Sequence, residues 1–286
     1  MSLKDTSPNP ERDTWLIYNL RRLLTGFCWV CFGLGGLLMS LFWFPYLNIA
    51  EKDKDRRVLR ARKSISASFR LFMKLCDVLA VTGTDLSSIE QLKQAKGTII
   101  VANHPGILDY VIIASQLPQL DCLVKSSLKQ NFFLRGVVRA ADYLLNDESE
   151  ELLANCKERL SSGNNILIFP EGTRTVPGKP LHLKRGFAHI ALRLRCPVAV
   201  LFIEAPEKWL SKHSHWYEIP PKKGVLRIEN LCTLNPQDFL VPGEDTYSLA
   251  SRRLTRHIGQ ILSQKLILSE TKKLSKERQI NGFVRK

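Results

Sequence analysis

The sequence predicts an α/β fold in which a mostly parallel central sheet is flanked by helices, with an N-terminal membrane-associated helical segment. Two observations predict it. Short apolar runs alternate with helical patterns from about residue 97 onward, and a long uncharged run lies near the N-terminus. Strands that alternate with helices form parallel sheets, because parallel neighbours need a long crossover connection. A chain of 286 residues has room for one such domain and an appendage.

Each element of the sheet follows from a local pattern. Runs rich in Ile, Val and Leu, bounded by Gly, Pro or Asn, predict buried strands at 97–103, 165–169, 197–203 and 225–231, with a strand-like run at 120–124. Apolar residues at three- and four-residue spacing predict helices at 107–117, 148–160, 187–194 and 248–268. Strands of this kind are buried on both faces, so polar residues that follow them are candidate site residues.

The charge balance favours an anionic partner. Forty-two Lys and Arg against 27 Asp and Glu give a formal net charge of +15. Nucleic acid, a phosphorylated substrate or an acidic membrane surface would each fit that charge. The seven cysteines are scattered, and the close pair Cys28 and Cys31 lies in an apolar run that does not suit zinc. We therefore expect reduced thiols and a cytosolic working face.

The uncharged run extends over residues 23–50. It is longer than the ~20 residues that span a bilayer as a helix, and longer than the apolar region of a signal peptide, about 7 to 15 residues. A retained anchor is therefore favoured. Seven basic residues lie in 51–63 and four in 1–22, which places the C-terminal bulk in the cytoplasm. Because both flanks are basic and Gly33, Gly35 and Gly36 interrupt the run, a re-entrant or monotopic hairpin is the alternative.

Residues 64–80 have the pattern of an amphipathic helix, which would pack on the domain or contact lipid. These patterns divide the chain into five parts. They are an N-terminal tail 1–22, a transmembrane or re-entrant segment 23–50, a basic amphipathic connector 51–84, a catalytic domain 85–268 and a basic C-terminal tail 269–286.

The first polar strand end contains Asn103, His104 and, after a Pro-Gly turn, Asp109. A turn that leads into a helix can return the carboxylate to the imidazole and fix its tautomer. The other ring nitrogen could then act as a general base near neutral pH. The sequence contains no Gly-x-Ser-x-Gly elbow and no cysteine in a comparable turn, so the pattern indicates that the substrate supplies the hydroxyl. A structural hydrogen bond is the alternative interpretation.

The second polar strand end is the segment Phe169-Pro-Glu-Gly-Thr-Arg174. Glycine permits close approach to the backbone, and a hydroxyl and a guanidinium suit a phosphate. The candidate binding residues are Asn103, Lys125, Glu171, Gly172, Thr173, Arg174, Lys184 and Arg185. Any single Lys or Arg among them is more often a solvated surface charge.

These two segments, 67 positions apart, resemble signature blocks of the glycerophospholipid acyltransferases, the lysophosphatidic acid acyltransferase family. The resemblance covers about residues 85–235. It implies that His104, oriented by Asp109, deprotonates an acceptor hydroxyl, which attacks the thioester of acyl-CoA or an acylated carrier protein. It implies that residues 171–174 hold the acceptor. No metal or resident cofactor is implied, only the acyl donor as co-substrate.

The same resemblance implies membrane lipids and a lysophospholipid or other hydroxylated amphiphile as partners, with no nucleic acid. We expect a bacterial inner membrane with the catalytic domain on the cytoplasmic face. One departure concerns the middle block, where members carry an arginine after an acidic residue and this chain has Asp142 to Asp147 without one. A second departure follows the run that begins at Cys196 and Pro197. Members of the family usually carry a second proline after this run, whereas this chain continues to Glu204.

Three functions therefore remain in competition. The first acylates 1-acylglycerol 3-phosphate to phosphatidic acid. The second applies the same chemistry to an acceptor without that phosphate, in specialised lipid or polyketide-like biosynthesis. The third is a non-catalytic basic protein that binds a membrane surface or nucleic acid.

Overall fold

The fold is a six-stranded mixed sheet with helices on both faces. The computed structural model describes residues 13–123, 135–144, 150–176, 178–206, 210–212, 214–243 and 246–283. The strands are β1 Thr82–Asp85, β2 Ile99–Ala102, β3 Leu120–Cys122, β4 Asn165–Ile168, β5 Val198–Glu204 and β6 Gly224–Leu234. The helices are α1 Trp15–Leu38, α2 Phe44–Ala50, α3 Lys54–Val78, α4 Asp109–Gln116, α5 Arg135–Ala141, α6 Glu150–Ser161, α7 Gly186–Leu194 and α8 Tyr247–Phe283.

The strand order is β1-β6-β5-β2-β4-β3, and the β5–β6 pair is antiparallel while the other four pairs are parallel. This confirms the predicted mostly parallel sheet flanked by helices. β2 pairs with β4 in the register Ile99 to Ile166 and Val101 to Ile168. The carboxyl ends of these two strands are therefore neighbours, which brings the two polar segments that follow them to the same edge of the sheet.

The structure differs from the sequence prediction at three places. β1 was missed, because Thr-Gly-Thr-Asp carries no apolar signal and becomes a strand only by pairing with β6. α3 lies within the helical connector predicted at 51–84 but begins at Lys54, ten residues before the amphipathic pattern at 64–80, with Asp53 accepting a hydrogen bond from the Arg56 backbone N–H as its N-cap. α8 continues to Phe283, so residues 269–283, predicted as a separate tail, belong to a long helix.

The N-terminal segment is a single helical rod with one irregular turn. α1 leads through a π-helical turn, Met39–Trp43, into α2. Pro45 has no N–H to donate to the preceding turn, which explains the change in hydrogen-bonding register there. The helical stretch Trp15–Ala50 is long and apolar enough to cross a membrane, judged by length and composition. Leu23, Phe27 and Phe42 are among its exposed apolar side chains.

The other face of α1 packs against the domain. The Phe32 ring lies 4.8 Å from that of Phe72 and 6.0 Å from that of Phe69, both on α3. Arg21 is buried, forms an ion pair with Asp13, and donates hydrogen bonds to the carbonyls of Ala80 (3.0 Å) and Pro220 (3.2 Å). α1 is therefore attached to the catalytic domain by apolar and by polar contacts.

A buried ion pair attaches α3 to the edge of the sheet. Arg62 donates to both carboxylate oxygens of Asp121 on β3, and the two side chains are 3% and 0% exposed. The same guanidinium donates to the carbonyl of Ala141 at 2.8 Å. Burial raises the pKa of Asp121, and the charge of Arg62 opposes that rise. One side chain thus connects α3, α5 and β3.

Candidate active site

His104 and Asp109 meet at the carboxyl end of β2. The strand ends at Ala102, the chain turns, and α4 begins at Asp109, so that Asp109 Oδ2 lies 2.8 Å from His104 Nδ1. The Gly106 N–H donates to the same oxygen at 2.8 Å. Burial raises the pKa of Asp109, whereas the hydrogen bond and charge of His104 lower it. An Asp109 carboxylate that accepts from Nδ1–H leaves Nε2 as the proton acceptor of the ring.

The imidazole is held on its face as well as at its edge. The ring of Phe169, which follows β4, stacks on His104 with centroids 4.1 Å apart and planes 18° from parallel. The His104 side chain keeps 23% of its surface exposed, while Asp109 keeps none. The ring therefore has a fixed orientation and one accessible side. Phe169 was part of the sequence block, but its contact with the imidazole was not predicted.

Glu171 and Thr175 connect the second segment to the backbone of His104. The His104 N–H donates to Thr175 Oγ1 at 2.9 Å and to Glu171 Oε1 at 3.2 Å, and the Thr175 N–H donates to the His104 carbonyl at 2.7 Å. The Thr175 hydroxyl donates to Glu171 Oε1. Burial raises the pKa of Glu171. These contacts give Glu171 a positioning role beside His104 and identify Thr175, which sequence reasoning missed. The contact of Glu171 with the acceptor stays a prediction.

Asn103 has a structural role in the sheet that the sequence did not predict. It is 2% exposed, and its amide spans from β2 to β5: Nδ2 donates to the Ile203 carbonyl at 2.9 Å and Oδ1 accepts from the Ile203 N–H at 2.7 Å. Both ends of the amide are committed to the sheet. Asn103 therefore fixes the edge on which His104 stands.

We expect Asn103→Ala to lower the free energy of unfolding by about 1–3 kcal/mol, since the buried backbone groups of Ile203 lose their partners. Urea denaturation measures this directly. The KM for acceptor of the remaining folded enzyme should stay unchanged. An unaltered stability combined with a raised acceptor KM would contradict the structural role and restore the binding role.

Two cations of the predicted set lie at the second segment. Gly172 has a left-handed φ of 64°, and a Cβ there would come 3.2 Å from the Lys184 ammonium, so only glycine fits this turn without displacing the lysine. Arg174 donates through Nη1 to the carbonyls of Leu210 (3.1 Å) and Ser211 (2.8 Å), and its charge is close enough to lower the pKa of Asp109. Arg174 thus anchors a loop that no sequence signal indicated.

The other predicted binding residues, Thr173, Arg185 and Lys125, have no described contact with the His104 site. Thr173 is exposed at the same turn. Arg185 is exposed at the start of α7, where its charge follows burial as a cause of the lowered pKa of His189. Lys125 lies outside the residues that the structure describes. Within the described ranges, no group of three or more His, Cys, Asp or Glu side chains could hold a metal ion.

Comparisons with known proteins agree with this geometry. The acyltransferase family model matches residues 84–204. A 1-acyl-sn-glycerol-3-phosphate acyltransferase of Helicobacter pylori is 29% identical over 56% of this chain and 65% of its own length. The alpha enzyme of Mus musculus is 24% identical over 49% and 52%. This chain thus spans between half and two thirds of these two relatives.

Longer matches exist as well. A putative 1-acyl-sn-glycerol-3-phosphate acyltransferase of Caenorhabditis elegans is 27% identical over 76% of this chain and 82% of its own. The crystal structure of the 1-acyl-sn-glycerophosphate acyltransferase PlsC of Thermotoga maritima superposes with a TM-score of 0.64 over 88% of this chain and 98% of that one, at 17% identity, which shows a shared fold. Two ordered sequence blocks, the family model and several curated relatives agree: residues 84–204 form a domain of the acyltransferase family, and the relatives that the chain resembles are 1-acyl-sn-glycerol-3-phosphate acyltransferases.

Proposed function

We propose that the protein transfers a fatty acyl group from a thioester to the free hydroxyl of 1-acylglycerol 3-phosphate, which gives phosphatidic acid. The observation that carries the proposal is the oriented pair of His104 and Asp109, whose exposed imidazole faces no protein nucleophile. Among the described residues, no serine or cysteine is hydrogen-bonded to the His104 ring. The relatives from Helicobacter pylori and Mus musculus are named for the same reaction, which supports the proposal.

The chemistry follows from the dyad. Nε2 of His104 takes the proton of the acceptor hydroxyl as its oxygen forms a bond to the thioester carbonyl carbon. The tetrahedral intermediate collapses, the carbon–sulfur bond breaks, and the proton passes from the imidazole to the departing thiolate. Asp109 stabilises the imidazolium that forms in between and keeps its tautomer fixed. The products are the ester and a free thiol, and the histidine returns to its starting state.

The second segment supplies positive charge next to this centre. Lys184 lies over Gly172, and the charge of Arg174 reaches Asp109. A phosphate bound at this turn would face a flexible ammonium and the guanidinium nitrogens that the loop carbonyls do not use. Either a CoA or a carrier-protein thioester is compatible with a chain of net charge +15.

One observation favours a second acceptor class. In the middle block, where the family carries an arginine after an acidic residue, this chain has Asp142 without that arginine. The Asp142 carboxylate accepts from Arg159 at 2.6 Å and lies 3.6 Å from the Lys54 ammonium. The middle block therefore supplies no arginine at that position to an acceptor phosphate at the His104 site. An acceptor that lacks the phosphate is the alternative substrate.

We propose that the protein is membrane-associated, with its N-terminal rod lying in the cytoplasmic face of a bacterial inner membrane. A helical stretch of 36 residues is about 54 Å long, against a hydrocarbon core of about 30 Å. One face of α1 packs on α3 while the opposite face exposes apolar side chains. Such one-sided packing, with Arg21 bonded into the domain, supports a helix in the interface over one that crosses the bilayer.

An acyl-transfer assay tests the proposed reaction. Purified protein in detergent, given a labelled long-chain acyl thioester, should acylate lysophosphatidic acid and leave dephosphorylated monoacylglycerol unreacted. Lys184→Gln should raise the KM for the phosphorylated acceptor roughly tenfold, since a charge-assisted hydrogen bond is lost. The exposed Lys179→Gln serves as the matched control.

The possible outcomes separate the candidates. Equal transfer to both acceptors would remove the phosphate site and favour the second acceptor class. Transfer to neither, from CoA and from carrier-protein donors alike, would overturn the phospholipid reaction.

A further inference from the structure

A cavity of about 380 Å³ lies between the N-terminal rod and the domain, apart from the His104 site. Its walls come from the π-helical turn, α2, the first turns of α3, and α5. Residues of the predicted active site are not among those that line it. Its volume is in the range of sites that hold small ligands. We refer to it as the α2–α5 cavity.

The cavity is basic on one side. Among the described residues that line it, Lys54, Arg57 and Arg139 are cations and Asp142 is the one carboxylate. That carboxylate is also paired with Arg159, at 2.6 Å, which is not a lining residue. The lining therefore has an excess of positive charge. The Arg139 side chain is exposed and makes no hydrogen bond to any residue in the described part of the chain.

The opposite side is apolar and continues into the exposed face of the rod. Phe44, Leu47 and Ala61 are buried and form the floor. Next to them, on the outside of the rod, Tyr46 and Ile49 are 57% and 81% exposed. An apolar floor below a cationic rim, bordered by exposed apolar side chains, has the polarity of a lipid's own head-group region.

The walls are held in place by close packing. α5 approaches the π-helical turn so closely that a Cβ at Gly136 would overlap the side chain of Ser40. π-helical turns are frequent at functional sites, and this one forms part of the cavity wall. The Trp43 indole N–H donates to Ser64 Oγ at 2.9 Å, which fixes the turn against α3.

We propose that the α2–α5 cavity binds the phosphate-bearing head group of an anionic membrane phospholipid, as a second lipid site separate from the one at His104. The cations of the rim contact the phosphate, and the acyl chains lie along the exposed apolar face of α2. This site attaches the catalytic domain to lipid at the end of the rod. It does not depend on the proposed acyl transfer.

The test measures retention of lipid by full-length protein in detergent, by native mass spectrometry with short-chain phosphatidylglycerol and short-chain phosphatidylcholine. His104→Ala serves as the background, so that turnover does not consume bound lipid. We expect selective retention of phosphatidylglycerol. Arg57→Gln combined with Arg139→Gln should weaken it roughly tenfold or more, because two charge-assisted contacts to phosphate are lost.

The matched control removes equal charge from the same region. Lys52 and Arg56 are exposed and do not line the cavity, so Lys52→Gln with Arg56→Gln should leave retention unchanged. Arg139→Glu, a single exposed change, provides a second test if the double variant unfolds. Equal loss in both double variants would mean diffuse attraction and overturn the site.

The last part of the experiment adds inorganic phosphate as a competitor of phosphatidylglycerol. Phosphate should compete only weakly, since it lacks the part of the lipid that contacts the apolar floor. Competition at the same concentration as the lipid would make the cavity a free-anion site and overturn the lipid assignment. Because the readout is binding, selective retention by a protein with no acyltransferase activity would support this site and count only against the proposed reaction.

Discussion

Replacing His104 with alanine is expected to reduce acyl transfer by about 10²–10⁴-fold, the usual contribution of a positioned general base. The physical reason is that, among the described residues, the one ring nitrogen oriented by Asp109 is that of His104, so the substitution leaves the dyad without its proton acceptor. Initial rates with saturating acyl thioester measure the effect. Since the loss is in the chemical step, it should be seen in kcat, with little change in the KM for acceptor.

Two further variants sharpen that expectation. His182 is an exposed histidine outside the site, so His182→Ala should retain full activity. Asp109→Asn can preserve the size of the side chain while its amide favours donation to Nδ1, which would leave the proton on Nε2 and block the base. A His104→Ala protein with unimpaired turnover, or an unaffected Asp109→Asn protein, would remove the general-base mechanism.

Replacing Arg62 with alanine is expected to lower the free energy of unfolding by about 3–5 kcal/mol, because it leaves a buried carboxylate without its partner. Asp121 is fully buried, and both of its carboxylate oxygens accept from this guanidinium. Chemical denaturation followed by circular dichroism measures the change. The loss also releases the Ala141 carbonyl and hence the end of α5.

The control for this prediction lies two residues earlier. Arg60 is paired with Glu51 at 3.3 Å, but its side chain is 57% exposed, so Arg60→Ala should cost less than about 1 kcal/mol. Replacing the buried pair by apolar residues, Arg62→Met with Asp121→Leu, should recover most of the lost stability. Similar small effects of the Arg60 and Arg62 changes would show that the buried pair does not hold α3 to the sheet.

The parts of this fold that the sequence predicted are those with strong local signals. The buried strands β2, β4 and β5 are almost continuous apolar runs, and the residues that follow β2 and β4 are polar. β1 could not be predicted, because its four residues depend on pairing with Gly224 to Arg227, which lie far away in the chain. Likewise, a sequence pattern does not show which face of an amphipathic helix a partner covers.

In the candidate site, too, contacts between residues close in sequence were predictable and contacts between distant residues were not. His104 and Asp109 are close in sequence, so their pairing followed from a turn and a helix start. The structural contact of Asn103 could not be predicted because its partner Ile203 lies 100 residues away, and a buried asparagine that bridges two strands has the same sequence signature as one that faces a substrate. The contact of Arg174 with Leu210 and Ser211 could not be predicted from the sequence either, because it depends on where a distant loop packs.

The contacts of α1 with the far end of the chain set an order of events during synthesis. Tyr18 donates to the carbonyl of Ile219, and Arg21 to that of Pro220, about 200 residues later. At about 5–20 residues per second, the ribosome needs roughly 10 to 40 s to make that stretch. Throughout that time Tyr18 and Arg21 lack these two partners, although Asp13 and the Ala80 carbonyl, which also bind Arg21, have already been made. The last contacts of α1 therefore form only after the strands β1 to β5 have all been synthesised, so that the attachment of this helix is one of the final steps in completing the domain.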